Sequence, residues 1–231
     1  MTTLKTALIV GAGAGLSASL ARLLTKHGLQ VALASRDPSK LARLAGETAA
    51  VTFACEAAEP EEVAGLFDAV VATIGAPDIV VFNASARARG PVTELDPAEV
   101  ARAIAVSGYA GFLVAQQAAR LMVARGSGVI LLTGASASVK GYPQSAAFAM
   151  GKFALRGLAS SLARELSPQG VHVAHFVIDG GIRSATRLDP ENNPDSLLDP
   201  DAIAEAYWQV ANQARSAWTW EMELRPWVEK F

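Results

Sequence analysis

A single cysteine, Cys55, in 231 residues excludes an internal disulfide, and the lack of Cys or His partners at ligand spacing excludes a structural zinc site. Its expected place is the interior, as a small hydrophobe in a reducing compartment. Long apolar runs are also missing. Apolar residues make up 51% of the chain, yet no uninterrupted stretch approaches the roughly 18 residues of a membrane span. The first residues lead into a short apolar strand and then glycine, without the apolar segment and cleavage site of a secretory signal. Charge of one sign is not in excess either. The 20 Lys and Arg stand against 22 Asp and Glu and are scattered, which argues against a nucleic-acid footprint or a polybasic membrane patch. Internal repeats and low-complexity tracts are absent. These absences leave a cytoplasmic protein whose partners are small molecules as the expectation.

What is present is an alternation. Apolar runs at 7–10, 31–34, 51–54, 79–82, 129–132 and 171–177 are separated by stretches of helical period. Strands that are apolar on both faces suit a parallel sheet covered by helices on each side, so the pattern predicts an α/β fold of the Rossmann-like, doubly wound type. The whole chain, 1–231, reads as one domain. Helix starts are marked by Glu59-Pro60, by Asp96-Pro97 toward residue 118, and by Asp199-Pro200 ahead of a helix at 201–213. The longest helix, 144–166, stops at Pro168-Gln169-Gly170. Its small residues Ala147, Gly151, Ala154 and Ala159 suit close approach of another helix, either within the chain or across a subunit interface, and a homo-oligomer is expected. The polar, proline-interrupted segment 183–201 is too long for an ordinary connection and reads as a substrate lid. A last strand is expected within 217–224, among Trp218, Trp220 and Trp227, which read as core or subunit contacts.

The turn after the first strand carries Gly11, Gly13 and Gly15, followed by Leu16 and Ser17. Glycines at a strand-to-helix turn let the backbone approach a pyrophosphate, whose charge is favoured by the first helical N–H groups and the helix dipole. The G-x-G-x-x-G spacing fails because Leu16 stands three beyond Gly13; the pattern is instead G-x-x-x-G-x-G with Ser17 in place of the last glycine. An NAD-selecting site places a carboxylate at the end of the second strand, roughly 20 residues on. Here Ser35-Arg36 stands there, and a guanidinium fork suits a phosphate, so NADP(H) is the expected cofactor. Asp37 reads as the cap of Asp37-Pro38.

With these features, Asn83-Ala84 and the helix bearing Lys152, the chain resembles the short-chain dehydrogenases/reductases over nearly its full length. The resemblance implies that Asn83 braces the cofactor edge, that Glu56 stands where an aspartate touches adenine, and that Lys152 binds the nicotinamide ribose. It also implies a tyrosine acid/base four residues before that lysine, a serine thirteen before the tyrosine, and an asparagine anchoring a water relay. This chain has Phe148, Ala135 and Ser107 at those positions, and Asp179 replaces a proline after the sixth strand. Phenylalanine has no proton to donate.

Two kinds of substitute for the missing acid are open: Tyr142, the only nearby phenol, or else Lys152 or an ordered water. The resemblance implies an NADP(H)-dependent oxidoreductase acting on a small carbonyl, alcohol or activated double bond by a non-standard proton route. The alternative is a catalytically silent nucleotide-binding or redox-sensing protein. His172 and His175 point to opposite faces of one strand and form no dyad. Arg87, Arg89, Arg183 and Arg187 lie near the expected substrate entrance without an assigned role.

Overall fold

The computed structural model describes residues 4–229. Seven strands form one parallel sheet in the order β3-β2-β1-β4-β5-β6-β7, with β1 at Thr6–Val10, β2 at Gln30–Ser35, β3 at Val51–Ala54, β4 at Ile79–Phe82, β5 at Gly128–Thr133, β6 at Val171–Ile178 and β7 at Glu221–Leu224. Alternation along each strand feeds two cores. Leu8 and Val10 of β1 and Ile130 and Leu132 of β5 join helices α3 (Pro60–Ile74), α5 (Ala110–Arg125) and α6 (Ala146–Leu166). Ala7 and Ile9, with Val129 and Leu131, face α1 (Leu16–Lys26), α2 (Ala42–Thr48) and α7 (Pro200–Ala211) on the other side. The expected doubly wound architecture is therefore the one observed, and its strand order reverses at the β1/β4 boundary, where ligands of such sheets bind.

Several boundaries differ from the sequence expectation for local reasons. β7 starts at Glu221, because Arg215–Ala217 closes a 3₁₀ turn. α6 starts at Ala146, because Gln144 takes a left-handed φ of 59° that no helix accepts. The helix opened by Pro97 runs well past residue 118. It comprises α4 (Pro97–Ile104), a π-helical turn at Ala105–Tyr109, and α5. By length and composition this run could cross a membrane, but in the fold it packs against α6 and the sheet. The π turn is where it meets α6: a Cβ on Gly151 would lie 2.7 Å from the Ser107 Cβ, and one on Gly108 would lie 3.1 Å from the Gly151 carbonyl oxygen. The small residues of α6 thus serve a helix contact within the chain. β3, at the sheet edge, is only partly buried, not covered on both faces as a strand of the sheet interior would be.

The β1–α1 turn is shaped by one close approach. Gly11 has a φ of +81°, and a Cβ there would lie 2.3 Å from the Ala84 amide nitrogen, so the ends of β1 and β4 meet only because Gly11 has no side chain. A Cβ on Gly13 or Gly15 meets nothing within 4 Å. We expect Gly11→Ala to destabilise the protein by about 2–4 kcal/mol in urea unfolding, and Gly13→Ala by less than about 1 kcal/mol. Equal losses at the two positions would contradict this packing.

Candidate active site

A cleft of about 650 Å³ opens at the carboxyl ends of β1, β2 and β3, over Gly13, Ser35, Arg36, Glu56 and Asn83. Its floor is held from beneath. Gly11 and Ala12 donate their N–H groups to the Ala34 carbonyl at 3.0 and 2.9 Å, and the Asn83 amide nitrogen donates to Ser17 Oγ at 2.7 Å. The Ser17 hydroxyl in turn donates to the Gly11 carbonyl at 3.3 Å. Ser17, in place of a third packing glycine, therefore ties the turn to β4. Asn83 is committed through its amide to this brace.

The residues present fit a phosphorylated dinucleotide. A Cβ on Gly13 or Gly15 would meet nothing within 4 Å, so there is room for a ligand over the turn where α1 begins. At the end of β2 the Ser35 hydroxyl is buried without a hydrogen-bond partner, a cost relieved by a ligand atom. Arg36 lies exposed at the rim, 4.0 Å from the Glu56 carboxylate, leaving most of its donors free. Asp37 caps the following 3₁₀ turn as expected, accepting from Ser39 N at 3.2 Å, and this turn brings Lys40 into the cleft. Sequence reasoning missed Lys40; its signal was the position four beyond Arg36 on a turn started by Asp37-Pro38. Cys55 is buried beside the cleft, where burial and two nearby glutamates push its thiol up to about 11.

Two further, adjoining cavities of about 480 and 310 Å³ share Arg87, Ala135, Phe148, Ile178, Gly180 and Arg187 as walls. Lys152 lies in the smaller one with Leu16 and Asn83, and Tyr142 in the larger, so the structure does not bring the phenol into the lysine's cavity. Tyr142 is 47% exposed, beside the Lys140 ammonium. Lys152 is buried, and its Nζ donates to the Thr133 carbonyl at 2.7 Å. Burial, with the nearby Arg87 charge, draws its pKa down to about 7. The Phe148 ring lies under the Arg87 guanidinium, 4.1 Å from its centroid. Ala135 presents no hydroxyl; its N–H donates to Ser138 Oγ at 3.1 Å. Ser107 is fully buried and clamps the loop after β4, accepting from Ala86 N at 3.0 Å and donating to Ala86 O at 3.1 Å.

Neither His172 nor His175 lines these two cavities, and the two rings lie on opposite faces of β6. His175 is buried against Glu221 at 3.1 Å, with burial lowering it to about 4. Its Glu221 partner also takes both arms of the Arg156 guanidinium, tying α6 to β7. His172, on the opposite face, bonds the Thr219 carbonyl at 2.8 Å and stacks on Trp218 beside a separate cavity at the amino ends of β5 and β6. His27 ends α1 and stacks on Trp208. Trp218 is therefore a packing residue, whereas Trp220 and Trp227 are exposed.

A lysine held near neutrality by burial leaves a signature in stability. In the unfolded chain Lys152 keeps its proton to about pH 10.4. The unfolded state therefore binds more protons than the folded one between about pH 7 and that value, and stability rises with pH there, by up to about 1.4 kcal/mol per unit. Cys55, raised in the fold, opposes this above roughly pH 8.5. Urea unfolding of ligand-free protein at pH 7–8.5 should show the rise, and Lys152→Met should remove it. An identical slope in the variant would mean that the amine stays charged in the folded protein.

The profile of the short chain dehydrogenases matches residues 5–195. Short chain aldehyde dehydrogenase 1 of Euphorbia lathyris is 30% identical over 177 residues, 73% of this chain but only 61% of that protein, so the chain spans less than two thirds of its length. Among solved structures, a short-chain dehydrogenase from Rhodopseudomonas palustris superposes with a TM-score of 0.84 at 35% identity, covering 96% of this chain and 99% of the other. A metagenomic short-chain oxidoreductase crystallised with NADP gives a TM-score of 0.83 at 29% identity, covering 96% and 97%. The sheet order, the glycine turn at the β1/β4 boundary and the match over most of the chain lead to one conclusion: the chain belongs to the short-chain dehydrogenase/reductase family of oxidoreductases.

Proposed function

We propose that the protein is an NADP(H)-dependent oxidoreductase acting on a small carbonyl, alcohol or activated double bond, with Lys152 rather than a phenol managing the proton. The observation that carries this reading is the buried amine of Lys152, held at about pKa 7 in a cavity that adjoins the nucleotide cleft. Such a group exchanges a proton at neutral pH. The amine that the resemblance sets against the nicotinamide ribose is thereby also able to move a proton, a capacity that nucleotide binding alone does not use.

The cofactor, when bound, supplies or accepts a hydride. Ser35, Arg36 and Lys40 would hold the 2′-phosphate, Gly13 and Gly15 the pyrophosphate, Glu56 the adenine side, and Leu16 and Asn83 the inner edge. Lys152 gives its proton to the substrate oxygen on reduction and takes it back on oxidation. The segment 183–201 forms the lid: it is braced within itself by Arg183, which pairs with Asp189 at 2.9 Å and Asp199 at 3.6 Å, and it carries Arg187 into the cavity walls. A homo-oligomer is supported by the exposed Tyr109, Phe112, Met150 and Phe153 on α6 and the π turn with its following helix.

Calorimetry with NADPH and NADH tests the cofactor. Arg36→Ala should weaken NADPH roughly tenfold or more and leave NADH nearly unchanged, the loss expected for a charge-assisted contact to one phosphate. Equal losses would remove the phosphate assignment, and no binding of either coenzyme would remove the function. In single-turnover assays against a carbonyl and enone panel, Lys152→Ala should abolish NADPH oxidation while Tyr142→Phe retains it. The opposite pattern would move the acid to Tyr142. Tight NADPH binding without any turnover would favour the silent nucleotide-binding protein.

A further inference from the structure

The larger of the two further cavities is walled by three guanidiniums and no carboxylate. Arg87 and Arg89 come from the loop after β4 and Arg187 from the segment after β6. Among the described residues none of the three has a carboxylate partner, whereas Arg183, four residues before Arg187, is neutralised by two aspartates. Asp179, at the end of β6, is already shared by Lys140 at 3.3 Å and Arg225 at 3.4 Å. Uncompensated like charges brought together cost free energy unless an anion joins them.

Other groups in the same wall have the matching polarity. Ser145 and Gln144 stand at the amino end of α6, whose first turn has no acidic residue and no side-chain cap, so its free N–H groups and positive dipole end face this region. Tyr142 adds a hydroxyl, while the Ser136 hydroxyl in the same wall is engaged by the Asp179 carboxylate. The arginines are also positioned. The Arg87 guanidinium lies over the Phe148 ring, 4.1 Å from its centroid, so the residue standing in place of a phenol supports a cation. Arg187 packs so close to the Gly181 backbone that a Cβ there would lie 2.8 Å from its guanidinium carbon. Arg87 is partly desolvated and feels both other arginines, which lower its pKa from the ordinary arginine value after burial itself.

We infer that this cavity is an oxyanion subsite, and that the substrate is a small carbonyl compound, or its alcohol, bearing a carboxylate or phosphate gripped by Arg89 and Arg187 beside Arg87. The inference rests on the oxidoreductase reading for the reacting end of the substrate, but the subsite itself is a binding property. The two cavities share walls, so an anionic head in the larger one leaves the reacting carbon in the smaller, beside Lys152. Selection then comes from charge at the far end of the substrate and not from an apolar pocket.

The test uses the full chain saturated with NADPH, so that Arg36 and Lys40 are already covered, and the matched ketones 4-oxopentanoate and 2-pentanone. Calorimetry should give the charged ketone at least about tenfold tighter binding, weakened by added salt, as charge-assisted contacts require. The double variant Arg89→Ala/Arg187→Ala should lose that preference while keeping its NADPH affinity and melting temperature; Arg89→Gln/Arg187→Gln serves if the alanine pair melts early. Displacement of 4-oxopentanoate by inorganic phosphate more strongly than by acetate points to a phosphate head, and the reverse to a carboxylate; either supports the subsite. Equal affinity for the two ketones, or a preference that survives both double variants, overturns it. If the protein binds no NADPH, phosphate titrated into an Arg36→Ala/Lys40→Ala background separates the outcomes. Binding lost on removing Arg89 and Arg187 then upholds the subsite while the cofactor reading fails, and no binding overturns both.

Discussion

The site depends on a contact that a single methyl group would prevent. β1 and β4 are neighbours in the sheet, and their ends close on one another because Gly11 lies against the Ala84 backbone with no Cβ between them. Asn83 and Ser17 fasten the same corner through one hydrogen bond of 2.7 Å. From that corner the chain departs in two directions, into α1 with open amides and into the loop that carries Arg87 and Arg89. The nucleotide cleft and the two further cavities are therefore built on the same joint, and a change in its spacing alters both.

Electrostatics divide the two regions. In the outer cleft, cations are exposed at the rim and partly balanced, Arg36 by Glu56 and Lys40 by Asp37 at 3.3 Å. Around the two further cavities Arg87, Arg89 and Arg187 are exposed as well but have no carboxylate partner among the described residues, and burial draws the one group that can readily lose its proton, Lys152, down to about 7 while the arginines stay charged. The Thr133 carbonyl that accepts from Lys152 is part of β5, and the Thr133 hydroxyl takes the bond from the fully buried Tyr207 of α7 at 3.0 Å. The lysine's position is thus supported through the sheet from its opposite face.

Much of this was legible along the chain. The strand runs, the start signals at Pro60, Pro97 and Pro200, the Asp37 cap and the opposed histidines follow from periodicity and turn chemistry, which act over a few residues. The π turn at Ala105–Tyr109 was not, because it answers to Gly151 on a helix some forty residues later. Lys40 was passed over for a similar reason: its place in the cleft depends on how a short 3₁₀ turn is laid against β2 and β3. Tyr142 looked close to the missing phenol in sequence, yet it lies in the adjoining cavity, since the left-handed Gln144 breaks the path into α6.

By itself the sequence determined the α/β architecture, the glycine corner, the guanidinium at the end of the second strand and the absence of a hydroxyl at positions 135 and 148. Each is a property of one residue or of a short periodic stretch. Only the tertiary structure decided that Arg87, Arg89 and Arg187 share a wall, that Lys152 is buried deeply enough for its pKa to be drawn well down, and that Ser35 keeps an unsatisfied hydroxyl beside Arg36 and Lys40. Desolvation and charge proximity are set by which distant segments the sheet brings together, and no local pattern records them.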